Sequence, residues 1–171
     1  MNWRTVSEGL AVAAACACAC VDLRTKKIPN QLTLPAAVAG MVINLIFGGF
    51  SGLLTSLLGL GAGFACVSLW FVGGLKAGDV KLYMAVGALG GWRYAMNAIM
   101  YSILIGGGTA FFLMLSRKSG RTSLKNLWNY CFNMWLTRRF WMYEGNGQSS
   151  YFCFGSCIAA GAIAAMIWRI I

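Results

Sequence analysis

Apolar residues run along this chain in six blocks, and most of the charge sits in the short stretches between them. The blocks cover residues 6–21, 32–47, 53–72, 80–91, 95–115 and 151–167. A helical membrane crossing needs about 20 mostly apolar residues, so 171 residues allow up to six crossings with short joins. The fourth block is short. Residues 82–115 would be too long for one crossing at a rise of about 1.5 Å per residue. Gly90-Gly91-Trp92-Arg93 offers a turn and an interfacial anchor there, which divides the stretch in two. The pattern predicts an all-α polytopic membrane helix bundle of about six transmembrane helices, with residues 1–171 forming a single domain.

Composition supports the same class. The chain is 59% hydrophobic and 11% charged, with a mean hydropathy of +0.69. Such a chain cannot cover a soluble surface with polar groups. Its net charge of +10 would suit nucleic acid, but the cations lie between apolar blocks rather than along one soluble face. A lipid bilayer with an anionic inner surface is the simpler partner, and no nucleic acid is expected. With six crossings, eleven Lys and Arg fall on one side and three, Arg4, Arg93 and Arg169, on the other. The basic side is then cytoplasmic and both termini lie outside. Residues 1–21 have the outline of a signal peptide, but Arg24, Lys26 and Lys27 resist export, so this segment reads as a retained first span.

Residues 116–150 mix cations with seven aromatic residues, and Leu124, Leu127, Trp128, Cys131 and Trp135 follow helical spacing. That pattern predicts a cytoplasmic amphipathic helix lying on the membrane between spans five and six. The seven cysteines form no C-x-x-C pair and there is no histidine, so they read as small packing residues and no metal site is expected. The glycines within the blocks, Gly59, Gly61 and Gly63 or Gly106, Gly107 and Gly108, read as points of close helix approach.

Chemistry concentrates in two residues. Asp22 and Asp79 are the only aspartates, Glu8 and Glu144 the only other acids. Both aspartates fall where an apolar block meets a basic stretch, on the cytoplasmic side and at similar depth. A carboxylate near lipid is costly and is a functional candidate by default. Two close carboxylates cannot both ionise easily, so one can act as base toward water while the other acts as acid toward a scissile carbonyl. No metal, cofactor or covalent nucleophile is needed. Structural roles remain open at this point: Asp22 could cap a helix or pair with Arg24, Asp79 could N-cap the fourth span, or the two could serve an ion path. Gly78 before Asp79 permits a close backbone approach, and Pro29 after Ile28 restricts the chain ahead of the second span.

The stretch from Asp22 through Arg24, Lys26 and Lys27 to Ile28-Pro29-Asn30 resembles the first aspartate loop of the prepilin peptidases, the membrane aspartic proteases of GxGD type. Ala77-Gly78-Asp79-Val80-Lys81-Leu82 resembles their second motif, and Phe154-Gly155 with the residues to Gly161 their last-span pattern. The chain is most similar to the short, TadV/CpaA-like form of Flp-type pilus systems. Lys76 stands where the first motif glycine is usual, and Cys153 where the last-span proline is often found. The resemblance implies a multi-pass protein of the cytoplasmic membrane, with its active site facing the cytoplasm. Asp22 and Asp79 would be the catalytic pair, with Gly78, Lys81, Pro29 and Asn30 as supporting motif residues. Prepilins or pseudopilins with a basic leader would be substrates. The large insertion with paired C-x-x-C motifs of longer relatives is missing, so no methyl transfer is expected. A presenilin-type protease, a small cation- or proton-coupled transporter using the two aspartates, and a non-catalytic assembly subunit are the competing readings.

Overall fold

A computed structural model describes residues 3–25, 28–71, 75–116 and 154–170. The amphipathic segment expected over 116–150 lies outside the described residues beyond Ser116. Five helices follow one another among those described: α1 (Trp3–Thr25), α2 (Asn30–Ala65), α3 (Val67–Phe71), α4 (Ala77–Ser116) and α5 (Phe154–Ile170).

Helices α2 and α4 contain 36 and 40 residues, roughly twice the length that crosses a hydrocarbon core of about 30 Å. Neither is straight. Each is broken near its middle by a glycine with positive φ, Gly49 at 60° and Gly91 at 78°, where a side chain would be strained. The chain doubles back at both. Gly52 lies against the backbone of Asn44, and the hydroxyls of Tyr83 and Ser102, 19 residues apart, hydrogen-bond to each other. The described residues therefore form six rods besides α3: α1, 30–48, 50–65, 77–90, 92–116 and α5. They correspond to the six apolar blocks, and the second break falls in the expected Gly90-Gly91 turn.

Packing is inverted relative to a water-soluble bundle. Large apolar side chains face outward, among them Phe50, Phe112 and Ile46, while the interior is built from alanines such as Ala11, Ala15, Ala85, Ala98 and Ala162. Exposed apolar area of that extent needs a lipid partner. The chain is a membrane protein, and among the described residues three helices are long and apolar enough to cross. Small interior residues let helices touch backbone to backbone, the main attraction available within lipid. Gly59 meets Gly87 in this way, and a Cβ on Gly40 would lie 2.7 Å from backbone atoms of Ala88 and Leu89. Gly61, Gly107 and Gly108 instead face open space, so only part of the glycine pattern marks contact.

Rod 77–90 is the centre of the bundle. Asp79, Val80, Leu82, Tyr83, Ala85, Val86, Ala88 and Leu89 are all buried. A helix end inside a bundle leaves its last carbonyls without intrahelical partners. Here three other rods supply donors. The Asn44 amide donates to Ala88 and Leu89 at 3.0 Å each, the Ser56 hydroxyl to Ala88 at 2.6 Å, and the Ser7 hydroxyl to Leu89. Asn44 also donates to Gly40 at 2.9 Å, within its own rod.

Replacing Asn44 by leucine leaves those carbonyls short of a donor in an apolar setting. The expected loss is about 1–2 kcal/mol, read as a lower melting temperature in detergent. Phe50→Ala, at an 80% exposed position, is expected to change it little; equal melting of Asn44→Leu and the parent protein would contradict the capping account.

Candidate functional site

Asp22 lies near the C-terminal end of α1, which closes at Thr25, and Asp79 lies in the first turn of α4, which opens at Ala77. Both helix ends meet at one end of the bundle. Asp22 is 3% exposed and Asp79 2% exposed, and the two carboxyl groups are within electrostatic reach of each other. Two acids buried together in an apolar bundle carry a desolvation cost that a purely structural role does not require.

The local sequence explains how they are held. Pro29, extended at φ −74° and ψ 137°, precedes the first residue of α2, so the second rod begins only after it. The two aspartate-bearing stretches then interlock. A Cβ on Gly78 would lie 3.2 Å from the Cβ of Ile28, so the glycine is what lets Ile28 pack there. Across the same junction the Lys81 ammonium donates to the Asn30 side-chain oxygen at 2.9 Å. Lys81 is exposed and does not neutralise the site from within.

Asp79 occupies the third helical position rather than the N-cap. Its Oδ2 accepts the backbone N–H of Lys76 at 3.0 Å, the backward half of a capping box. The open role of helix capping is thus real for Asp79, and it uses only one carboxylate oxygen. The substitution of lysine for the usual motif glycine at position 76 costs nothing at this contact, because the backbone N–H makes it.

The last helix completes the site. A Cβ on Gly155 would lie 2.9 Å from Oδ2 of Asp22, so the first turn of α5 packs directly on that carboxyl group. Gly155 belongs to the last-span pattern noted in the sequence, but nothing in the pattern alone pointed to Asp22 as its neighbour. Tyr83 was missed altogether. It is buried one helical turn beyond Asp79, within electrostatic reach of it. The i, i+4 spacing was the available signal.

In a background freed of the native cysteines, Asp22→Cys with Asp79→Cys is expected to be bridged by dibromobimane, which fluoresces only after joining two thiols. Asp22→Cys with Arg93→Cys, at opposite ends of the bundle, serves as the blank. Adding Gly155→Val should lower the bridging yield; a yield no higher than the blank would refute the pairing.

The profile of the type IV leader peptidase family matches residues 9–111, more than half of the chain and including both aspartates. A prepilin leader peptidase/N-methyltransferase of Aeromonas hydrophila is 32% identical over 123 residues, covering 67% of this chain and 42% of that protein. Proteins of the same name from Burkholderia pseudomallei (strain 1026b) and Escherichia coli (strain K12) are each 33% identical, over 103 and 112 residues. Those matches cover 55% and 61% of this chain, and 33% and 49% of the respective relatives. The chain thus aligns with less than half the length of each of these three relatives. No solved structure matches it.

Proposed function

This chain belongs to the type IV leader peptidase family, and from that premise we propose that it is a membrane aspartic endopeptidase acting through Asp22 and Asp79. Its substrates are type IV prepilins or pseudopilins of the Flp/Tad kind, cleaved after a short basic leader at the cytoplasmic face of the membrane. The observation that carries the reading is the burial of both aspartates side by side at one end of the bundle.

The chemistry follows from that arrangement. One carboxylate takes a proton from a water, whose oxygen attacks the scissile carbonyl carbon. The other carboxyl group gives its proton to the carbonyl oxygen, forming a tetrahedral diol. Collapse of the diol breaks the C–N bond: one diol hydroxyl returns its proton to the second aspartate as the carbonyl re-forms, and the departing amine receives the proton that the first aspartate had taken. The pair ends the cycle with one proton, as it began. Interlocking at Ile28–Gly78 and Asn30–Lys81 ties the two aspartate-bearing stretches together before substrate arrives, which favours a preorganised pair.

Placement supports a protease over an ion relay. A relay across the membrane would favour acids near the midplane, whereas both aspartates lie within the terminal turns of their helices. The relatives' names include an N-methyltransferase. The proposal is confined to peptide cleavage, because the paired C-x-x-C insertion associated with that second step does not occur in these 171 residues. A basic leader must also approach a basic face, with the aspartates, Glu144 or anionic lipid offsetting the repulsion.

With purified protein and a leader-bearing prepilin, Asp22→Asn and Asp79→Asn should each lower cleavage by at least about 100-fold, with unchanged melting. Cleavage surviving in either variant would remove the aspartic mechanism. Ion flux in vesicles without any cleavage would favour the transporter instead.

A further inference from the structure

At the end of the bundle opposite the aspartates, the structure contains a cavity of about 640 Å³. It opens beyond the C-terminal end of the short central rod, where Leu89, Gly90 and Gly91 form part of its wall. Its size lies within the range of small-ligand sites, about 300–1,000 Å³. The dipeptide Trp-Arg occurs three times in the chain, as Trp3-Arg4, Trp92-Arg93 and Trp168-Arg169. All three copies line this one cavity, each from a different rod: α1, 92–116 and α5. They also bring together all three cations that charge patterning assigned to the less basic side of the chain.

We propose that this cavity binds a phosphate-bearing anion, with the headgroup of an anionic phospholipid as its membrane source. The charge balance favours an anion. Glu8 is the acid in the cavity wall, and it forms an ion pair with Arg169. Arg4 and Arg93 make no ion pair among the described residues, and each stacks on its own preceding indole, 5.3 Å from guanidinium carbon to ring centroid. Stacking holds the guanidinium plane while leaving its edge donors for an oxyanion. Arginine is also the cation whose planar fork matches a phosphate, and no lysine lines the cavity. The backbone does not oppose an anion strongly here, because the carbonyls at the end of rod 77–90 are already taken by Ser7, Asn44 and Ser56.

A plainer reading is that Trp and Arg merely anchor helix ends at the membrane interface. Anchors of that kind serve each helix separately and spread around the rim. Convergence of three pairs from three rods on one concavity is not required for anchoring. The three indoles place the cavity at headgroup depth, where a lipid phosphate resides.

The test uses the full chain in nanodiscs of phosphatidylcholine with a minor fraction of phosphatidylglycerol, reading bound lipid by native mass spectrometry and melting temperature. The wild type should retain phosphatidylglycerol preferentially. Arg4→Gln with Arg93→Gln should weaken that retention by about tenfold or more, while Arg24→Gln, exposed at the aspartate end, should not. Arg4→Lys with Arg93→Lys, which keeps charge but loses the forks, serves the same comparison if the glutamine pair melts early in phosphatidylcholine alone. A parallel arm adds glycerol 3-phosphate to protein in pure phosphatidylcholine. Arginine-dependent stabilisation by either phosphate supports the site, and the arm that responds identifies the source. No arginine-dependent response in either arm, neither a loss of phosphatidylglycerol retention in the double variants nor stabilisation by glycerol 3-phosphate, overturns the proposal.

Discussion

A helix buried on every side must have both of its ends satisfied inside the protein. Rod 77–90 comes close to such a helix beyond its first turn, and much of the structure is arranged around that constraint. Most of its side chains from Asp79 to Leu89 are interior, while Ala77 and Lys81 at its start are exposed, so the demand falls hardest on its C-terminal end. At the C-terminal end, three polar side chains from three other rods take up the orphan carbonyls. At the N-terminal end, Asp79 turns back on the Lys76 N–H. The rod is also short, about 21 Å at the helical rise, against a hydrocarbon core of about 30 Å. It leaves space at the end lined by the three Trp-Arg pairs, and it sets Asp79 within the bundle at the other end.

The aspartate end follows from the same packing. Close backbone approach through Gly40, Gly59 and Gly87 fixes rod 77–90 against both halves of α2, and so fixes Asp79. Asp22 arrives from α1 and lies against the first turn of α5 at Gly155. The two acids are therefore brought together by elements far apart in sequence. In a low-dielectric interior such a pair is expensive to maintain, and the proposed peptidase role would give that cost a purpose.

Much of this was legible in advance. Six apolar blocks anticipated six rods, because apolar length is nearly the only requirement a membrane places on a helix. Gly90-Gly91 announced its turn by composition, and the Gly49 turn falls in the gap between the second and third blocks. The aspartates stood out because acids are so scarce in the chain. What could not be read was which small residue meets which. Gly59 and Gly61 look alike in sequence, yet one touches Gly87 and the other faces open space. Asn44 gave no hint that it caps a helix 44 residues away, and Gly155 gave none that it abuts Asp22. Such partners depend on how the rods rotate about their axes, which is set by packing among all of them rather than by any local pattern. The three Trp-Arg pairs were visible as letters, but only the fold gathers them.

The central claim is that Asp22 and Asp79 work as one unit, and this can be tested by comparing leader cleavage rates in Asp22→Asn, Asp79→Asn and the doubly substituted protein. If the two carboxyl groups share one catalytic cycle, removing the second after the first costs almost nothing, and all three variants show the same residual rate. A double variant slowed by the product of the two single effects would mean that the aspartates act independently, and would contradict the account.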